Sequence, residues 1–600
     1  MDSLLTSLST SVHGLLDVLA APTSFWNGMF FSRWEGAIFQ KDQWGVVMRG
    51  LRIGLTFLGA LFVISELRAR RLKRPFSPRM TRGLAVVFTV LAFGTYFDFF
   101  NPNTRYDQYY HRHEFFHYYL GSKYFEELGY GRLYECAAVA EVELGHRAEM
   151  ANREIRDLAR DNLIRPVVDT EVLKNPDHCK QHFTDEDWAA FKQDVGWFRR
   201  SAHGGDYWRS MLKDHGYNPP PVWTMAGKFF ANMGVADDVF FKKLAGIDIA
   251  LHLGMVLLIY WAFGWRVMMI ATVFWGCNAP ANFYWTGGAF MRHDWIFFLV
   301  ASICLVKRGW FVLGGWALMW SALLRVFPAG LFVGYGLVIV TTFASMVFKG
   351  GGLKAGWARY RETRFFRQHT RLIAGAVLCL AVLVPAASKS TGGFESFSAF
   401  WKHITLHTGT GLTNHMGVKT MLTHSWDGRM RYTRDNRLDD PFKPWKDGRH
   451  ERDQKTKPLR YAIALGLVLW GAWALRRTRH LWVGLPMALS VVMCLTDLTC
   501  YYYSMFIIAA VLSRIRPAFG AVLMLGSGAS QILLDTYYFV DDKYTAQSWL
   551  FFLLGCLTIA AISRPFSVAR LKAWMQGKPD PKEPKAVKSA ELTAKPQAAA

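Results

Sequence analysis

Gly83-Leu84-Ala85-Val86-Val87-Phe88-Thr89-Val90-Leu91-Ala92-Phe93-Gly94-Thr95-Tyr96-Phe97-Asp98 leads, after a short link, to Arg105-Tyr106-Asp107-Gln108-Tyr109-Tyr110-His111-Arg112-His113-Glu114-Phe115-Phe116-His117-Tyr118-Tyr119. From Gly83 to Phe97 no residue is charged, so this stretch can close its backbone hydrogen bonds in a helix and sit in hydrocarbon. The second stretch is its opposite: carboxylates, imidazoles and tyrosines crowd together where a helix leaves a bilayer. Such groups are costly to desolvate, and their density there marks a reaction site.

The same apolar signal recurs outward from this point. The chain has 600 residues, 52% of them hydrophobic, with 24 Trp and 45 Phe, which is too apolar for an ordinary soluble protein. Apolar segments fall at 46–66, 83–97, 246–264, 267–281, 294–306, 310–327, 329–348, 372–387, 460–475, 481–496, 499–513, 517–535 and 548–563. Several are short for a hydrocarbon layer about 30 Å thick. The expectation is an all-α polytopic membrane protein with about 12 to 13 transmembrane helices and two large extracytoplasmic loops. Residues 1–45 add an amphipathic or partly embedded stretch, so 1–82 forms an N-terminal unit. A membrane core covers 83–387, a second outer loop 388–459, and further spans 460–564. Residues 565–600, rich in Lys, Pro and Ala, read as a disordered basic tail. Met1 to Ala21 lacks a basic leader and a cleavage site, so no removable signal peptide is expected.

Charge sets the orientation. The segment 67–82 holds Arg68, Arg70, Arg71, Lys73, Arg74, Arg79 and Arg82 and is expected in the cytoplasm of a multi-pass plasma-membrane protein. Alternation then places Lys349 to Arg371, Arg476 to Arg479, Arg514 to Arg516 and the C-terminal tail on the same side. Residues 98–245 and 388–459 fall outside. The net charge of +24 lies between apolar segments, which fits anionic lipid better than nucleic acid. The second outer loop is also basic, from Lys402 through Arg429, Arg431, Arg434 and Arg437 to Lys457, either as a solvated surface or as cations facing a phosphate-bearing substrate. Cys136 and Cys179 are the cysteines of the polar region and are able to pair outside the cytoplasm, and no CxxC metal pattern exists.

Within 98–245, residues 106–128 read as an amphipathic helix with Phe115, Phe116, Tyr119, Leu120 and Phe125 lying on the membrane surface. Residues 137–165 give a second, charge-rich helical pattern. On the first helix Asp107, Tyr110, His111, Glu114, His117, Tyr118 and Gly121 share a polar face, where one carboxylate can act as general base while the other balances charge. The same residues spell His113-Glu114-Phe115-Phe116-His117, an HExxH pattern in which two His grip zinc and Glu activates water. No third ligand stands out downstream, and no metal or cofactor is expected. A packed surface helix without chemistry is the bland alternative. Asp248 and His252, at i and i+4 in an apolar span, are expected to pair with each other. Asp497 and Asp535 are expected to be hydrated near outer membrane ends.

Several stretches give the chain a family resemblance. Asp107-Gln108-Tyr109-Tyr110 followed by Gly129-Tyr130-Gly131-Arg132-Leu133-Tyr134 resembles the outer loop of the GT-C membrane glycosyltransferases, nearest to glycosyltransferase family 87. Asn282 to Asp294, Lys307-Arg308-Gly309 and Leu323-Leu324-Arg325-Val326-Phe327-Pro328 resemble that family's outer turn, helix hairpin and Lys-x-x-Pro helix end, with Arg325 where Lys is common. Phe394 to Gly417, with Trp401 and Asn414, resembles its later outer loop. The match is one of element order and reaches about half the chain, and the span at 46–66 departs from the family's layout. The resemblance implies a mannose-like sugar transferred from a polyprenyl-phosphate donor to an extracytoplasmic lipid or glycan acceptor. It implies Asp107 as base, with Glu114 as second choice. Arg292 and Arg325, with Arg105 and Lys123, would meet the phosphate, and His111, His293, His117, Tyr110 and Asp294 would line the substrate site. A zinc peptidase, a transporter and a non-catalytic component remain the alternatives.

Overall fold

The computed structural model describes residues 41–101, 109–169, 171–202, 205–565, 567–576 and 578. The N-terminal stretch 1–40 therefore lies outside the described residues, as do Arg105 and Asp107. Among the described residues the secondary structure is helical apart from two short antiparallel pairs, Glu154–Arg156 with Ile164–Pro166 and His415–Met416 with Leu498–Thr499.

Among the described residues seven helices are long and apolar enough to cross a membrane: Trp44–Arg71, Asp238–Phe263, Phe327–Lys349, Arg364–Ser390, Lys443–Leu475, Pro517–Thr536 and Val540–Ile562. Their outward faces carry bare aliphatic side chains, such as Leu58, Val340, Val377, Leu465 and Leu469, as helices solvated by lipid do. Pro78–Tyr96, Trp265–Cys277, Asp294–Arg308 and Phe311–Leu324 pack among them. The expected span 481–496 is broken into Leu481–Gly484, a 3-10 turn Leu485–Ala488 and Leu489–Leu495, with Pro486 at the break. Residues Cys500–Arg514 wind as a 3-10 helix.

Where helices cross, glycine replaces side chains. A methyl on Gly315 would lie 1.8 Å from the Leu372 carbonyl oxygen, and one on Gly375 1.9 Å from that of Val312. Gly334 and Gly484 meet in the same reciprocal way, each 2.2 Å from the other's carbonyl oxygen once a Cβ is added. Such backbone contact is what small residues supply to helix pairs in lipid, where dispersion and not water exclusion drives association.

Ion pairs bind the segments gathered at each end. At one end Arg49 pairs with Asp535 at 2.6 Å, His415 with Asp497 at 3.2 Å and Arg429 with Asp542 at 2.9 Å. Asp497 is thus paired and largely buried, not hydrated. At the other end the buried Glu66 holds Arg266 at 2.6 Å. Residues 568–575, expected to be disordered, form a helix there, and the Trp574 indole donates to the Arg476 carbonyl at 2.7 Å.

A folded cap built from 109–237 covers the first end. Cys136 and Cys179 are joined by a disulfide with Cα atoms 5.4 Å apart. Helix Asp185–Ser201 is capped by Thr184, whose hydroxyl accepts from the Asp187 amide, and buries Asp194. That carboxylate accepts from Lys123, Tyr124, Tyr119 and the Ala236 amide. The expected second helix over 137–165 ends at Glu141. Beyond it come a π turn, a 3-10 turn and the strand pair, because Gly145 takes φ 94° and the buried Arg153 bends the chain back to Glu141 at 2.8 Å.

Candidate functional site

The helix that carries the dense polar run begins at Arg112 and ends at Lys123. It cannot start earlier: Tyr109 sits at φ 69°, and the His111 amide donates to the Gly288 carbonyl at 2.7 Å. The expected polar face from Asp107 to Gly121 is therefore cut at its N-terminal side. The helix also does not lie on the membrane. Phe115, Phe116, Tyr119, Leu120 and Phe125 are buried within the protein, Phe115 stacked on Phe241 at 4.5 Å and Phe116 edge-on to Trp208 at 5.2 Å.

Two separate polar groupings leave this helix. Glu114 and Tyr118, four residues apart, face Arg292. The Arg292 Nε lies 2.9 Å from a Glu114 oxygen, one terminal nitrogen donates to the Tyr118 hydroxyl, and the other reaches the Tyr501 hydroxyl at 3.4 Å. The guanidinium also lies 4.5 Å from the centre of the Tyr118 ring. Arg325 is within electrostatic reach of Tyr118, Tyr502, Arg292 and Asp294. Both arginines are 7% exposed. Burial pushes the Tyr118 hydroxyl above its ordinary range, so it stays a neutral donor.

The turn that delivers Arg292 is held from a spanning helix. The Asp248 carboxylate accepts from the Arg292 amide at 3.1 Å, the His293 amide at 3.3 Å and the His293 Nδ1 at 3.0 Å. Asp248 thus binds His293 and not its helical neighbour His252, whose ring packs 4.6 Å from those of His293 and Trp275. Met291 just before it takes φ 48°, a strained conformation for a side chain with Cβ, which persists because the Trp223 indole donates to its carbonyl at 2.8 Å.

Buried atoms of this chamber that lack a hydrogen-bond partner among the described residues include the Nη2 of Arg325 and the Oδ2 of Asp294, and also the Arg292 Nε and the Glu114 Oε2, which face each other only as an ion pair. Arg325 spends its other terminal nitrogen on the Leu324 carbonyl at 2.6 Å. It does not snorkel to solvent. Unsatisfied charged atoms at this depth are rare in folded proteins and mark the place of a ligand or water.

The second grouping is His113, His117 and Asp214, whose ligand atoms lie within 4.8 Å of one another. His113 Nε2 lies 2.8 Å from Asp214, and His117 Nε2 lies 2.7 Å from the Tyr134 hydroxyl. Burial and the neighbouring His113 push the His117 imidazole down to about 4, so it is neutral near pH 7. Asp214 is the third member of this candidate ligand set, and no spacing in the sequence announced it. Glu114, the remaining member of the HExxH pattern, is committed to Arg292 instead.

Of the expected site residues, Glu114, Arg292, Asp294 and Arg325 converge, with His293 beside them on Asp248. Lys123 does not join them: it is bound to Asp194 at 2.8 Å inside the cap. Tyr110 hydrogen-bonds Asp238 and Arg112, a structural role at the helix start, and His111 is fixed there by its amide. Tyr501 and Tyr502 were missed. The only signal was Tyr501-Tyr502-Tyr503 opening an apolar segment, hydroxyls that hydrocarbon alone would not favour. No family model, curated protein or solved structure matches this chain.

Proposed function

We propose that the chain is an integral membrane glycosyltransferase that moves a sugar from a polyprenyl-phosphate donor to an acceptor outside the cytoplasm. The observation that carries this reading is the buried convergence of Glu114, Tyr118, Arg292 and Arg325, with an Arg325 nitrogen left over for an anion. A base beside two guanidiniums is what displacement of a lipid phosphate requires.

In the proposed reaction the donor phosphate lies between Arg292 and Arg325, with the tyrosine hydroxyls as neutral donors. An acceptor oxygen attacks the anomeric carbon, the bond from that carbon to the phosphate oxygen breaks, and the electron pair leaves with the phosphate. The acceptor proton passes to a carboxylate, and the anomeric configuration inverts. Glu114 is the base that this arrangement favours, and Asp107 is the alternative. Binding of the donor's phosphodiester anion competes with Glu114 for Arg292 and frees the carboxylate to take the proton.

The wider architecture belongs to the same proposal: about 12 to 13 spans in a plasma membrane, a GT-C-like core, and 98–245 and 388–459 as extracytoplasmic loops. Its support is the sorting of segments. Those expected outside meet at the capped end, and those expected inside meet at the basic end. The Cys136–Cys179 disulfide in the cap fits an oxidising compartment.

A zinc peptidase is the second reading, favoured by one observation: His113, His117 and Asp214 form a possible ligand set. It needs Glu114 turned from Arg292 to the metal. Separate Glu114→Gln and Asp107→Asn variants, scored for a lost surface glycan or accumulated lipid donor, test the transferase. Loss of about a hundredfold or more is expected for the residue that acts as base. Wild-type behaviour of both would overturn the proposal, as would equimolar tightly bound zinc whose removal abolishes peptide cleavage.

A further inference from the structure

The end of the bundle opposite the cap carries a groove of about 2280 Å³ that the proposed reaction does not use. It is lined by Arg82, Lys307, Arg308, Arg364, Arg367, Arg371, Arg479 and Arg514, and by no carboxylate. These cations come from five separate segments, so their convergence is a product of the fold and not of one basic run. None of the eight forms a salt bridge among the described residues. Their neighbours are aromatic: Arg308 lies 4.8 Å over the Trp261 ring and Lys307 4.7 Å over that of Trp482, with Trp265 and Trp310 also in the wall. The remaining wall is apolar, with Val86, Leu257 and Met268, and Leu257, Tyr260 and Trp310 are more than half exposed on its flank.

We propose that this groove binds the headgroup of an anionic glycerophospholipid, its phosphate against the arginines and its acyl chains along the apolar flank. Eight like charges held together without counter-ions repel one another, and a lipid phosphate relieves that repulsion. Tryptophan and tyrosine at the mouth place the groove at headgroup depth. The open apolar flank is what distinguishes a lipid from a free phosphate, because a soluble anion has no use for it. A second copy of this chain would bring the same positive charge, which argues against a self-interface.

Native mass spectrometry of the full-length protein, purified and delipidated in neutral detergent, tests the proposal. Phosphatidylglycerol, phosphatidylcholine and inorganic phosphate are added separately and in competition. The combined Arg364→Gln, Arg367→Gln and Arg371→Gln variant changes only exposed side chains and serves with the wild type. The expected result is phosphatidylglycerol bound about tenfold more tightly than phosphatidylcholine, a preference lost in the variant and not competed by millimolar phosphate. Equal binding of the two lipids would overturn it, as would full competition by phosphate or an unchanged preference in a variant with the wild-type melting temperature. A dimer that excludes lipid from the groove would overturn it too. These readouts involve no sugar transfer, so their failure leaves the transferase proposal to its own test.

Discussion

At the scale of single residues, the chamber rests on a surplus. Arg325 is buried with one guanidinium nitrogen unmatched, at a cost of roughly 1–3 kcal/mol, while its other terminal nitrogen is held by the Leu324 carbonyl. Arg325→Met removes the unmatched charge. We expect unchanged or raised thermal stability together with a rise in donor KM of about tenfold to a hundredfold, measured with purified enzyme and lipid donor. Asp248→Asn leaves one oxygen where two now serve Arg292 and His293. The turn should loosen at a cost of about 1–3 kcal/mol, with transfer falling although Arg292 itself is intact. This part of the site was only partly legible. Glu114 stood out in the polar run 107–121, and Arg292 and Arg325 were named together only through the family resemblance. Nothing in their spacing said that they meet, because the meeting depends on a turn held by Asp248 from another helix. Asp107 and Arg105 fall outside the described residues, so their expected roles remain part of the proposal.

At the scale of elements, the cap holds its polar groups in specific protonation states. His117 is buried neutral, its imidazole pushed from its ordinary value of 6.5 down to about 4, chiefly by burial. Partial burial opposes ionisation of Glu143, yet Lys192, Trp188 and Lys180 bring it down from 4.5 to about 2. For both, the folded pKa lies below the unfolded one, so their stability is present in full above the unfolded value and lost as pH falls. Acid should loosen the cap first between about pH 6.5 and 4 through His117, then between about 4.5 and 2 through Glu143. Hydrogen exchange of the 112–201 region across that range would check it, and a His117→Gln variant should lose the upper step. Cys136→Ser should lower cap stability by about 2–4 kcal/mol under oxidising conditions only. The helix over 112–123 shows why its surroundings were misjudged from sequence. Its phenylalanines are as apolar as a lipid-facing stripe, and composition cannot tell whether Phe241 and Trp208 or acyl chains will cover them. Its start was misplaced because the φ of Tyr109 is set by a distant contact with Gly288.

At the scale of the whole molecule, the long apolar helices were the most legible feature, since hydropathy over a spanning length survives any local error. Breaks such as that at Pro486 were harder to place. Sidedness is open to direct measurement. Ser210→Cys in the cap and Arg361→Cys at the basic end are both exposed, whereas the native free cysteines are mainly buried. An impermeant maleimide applied to intact cells should label the first and not the second. The opposite pattern would place the proposed base on the wrong side of the membrane for its donor.

The contact of Gly315 with Leu372, and of Gly375 with Val312, leaves no slack between the shorter helix Phe311–Leu324 and the spanning helix Arg364–Ser390. One ends beside Arg325, and the other begins at Arg364. Together they behave as a strut of fixed length, which can lean but cannot telescope. A bilayer that is too thick or too thin must therefore tilt it, moving the chamber relative to the depth at which a donor's headgroup floats. Turnover in proteoliposomes should accordingly peak at one acyl-chain length, and swapping Gly375 for Val should blunt that optimum by prying the strut apart.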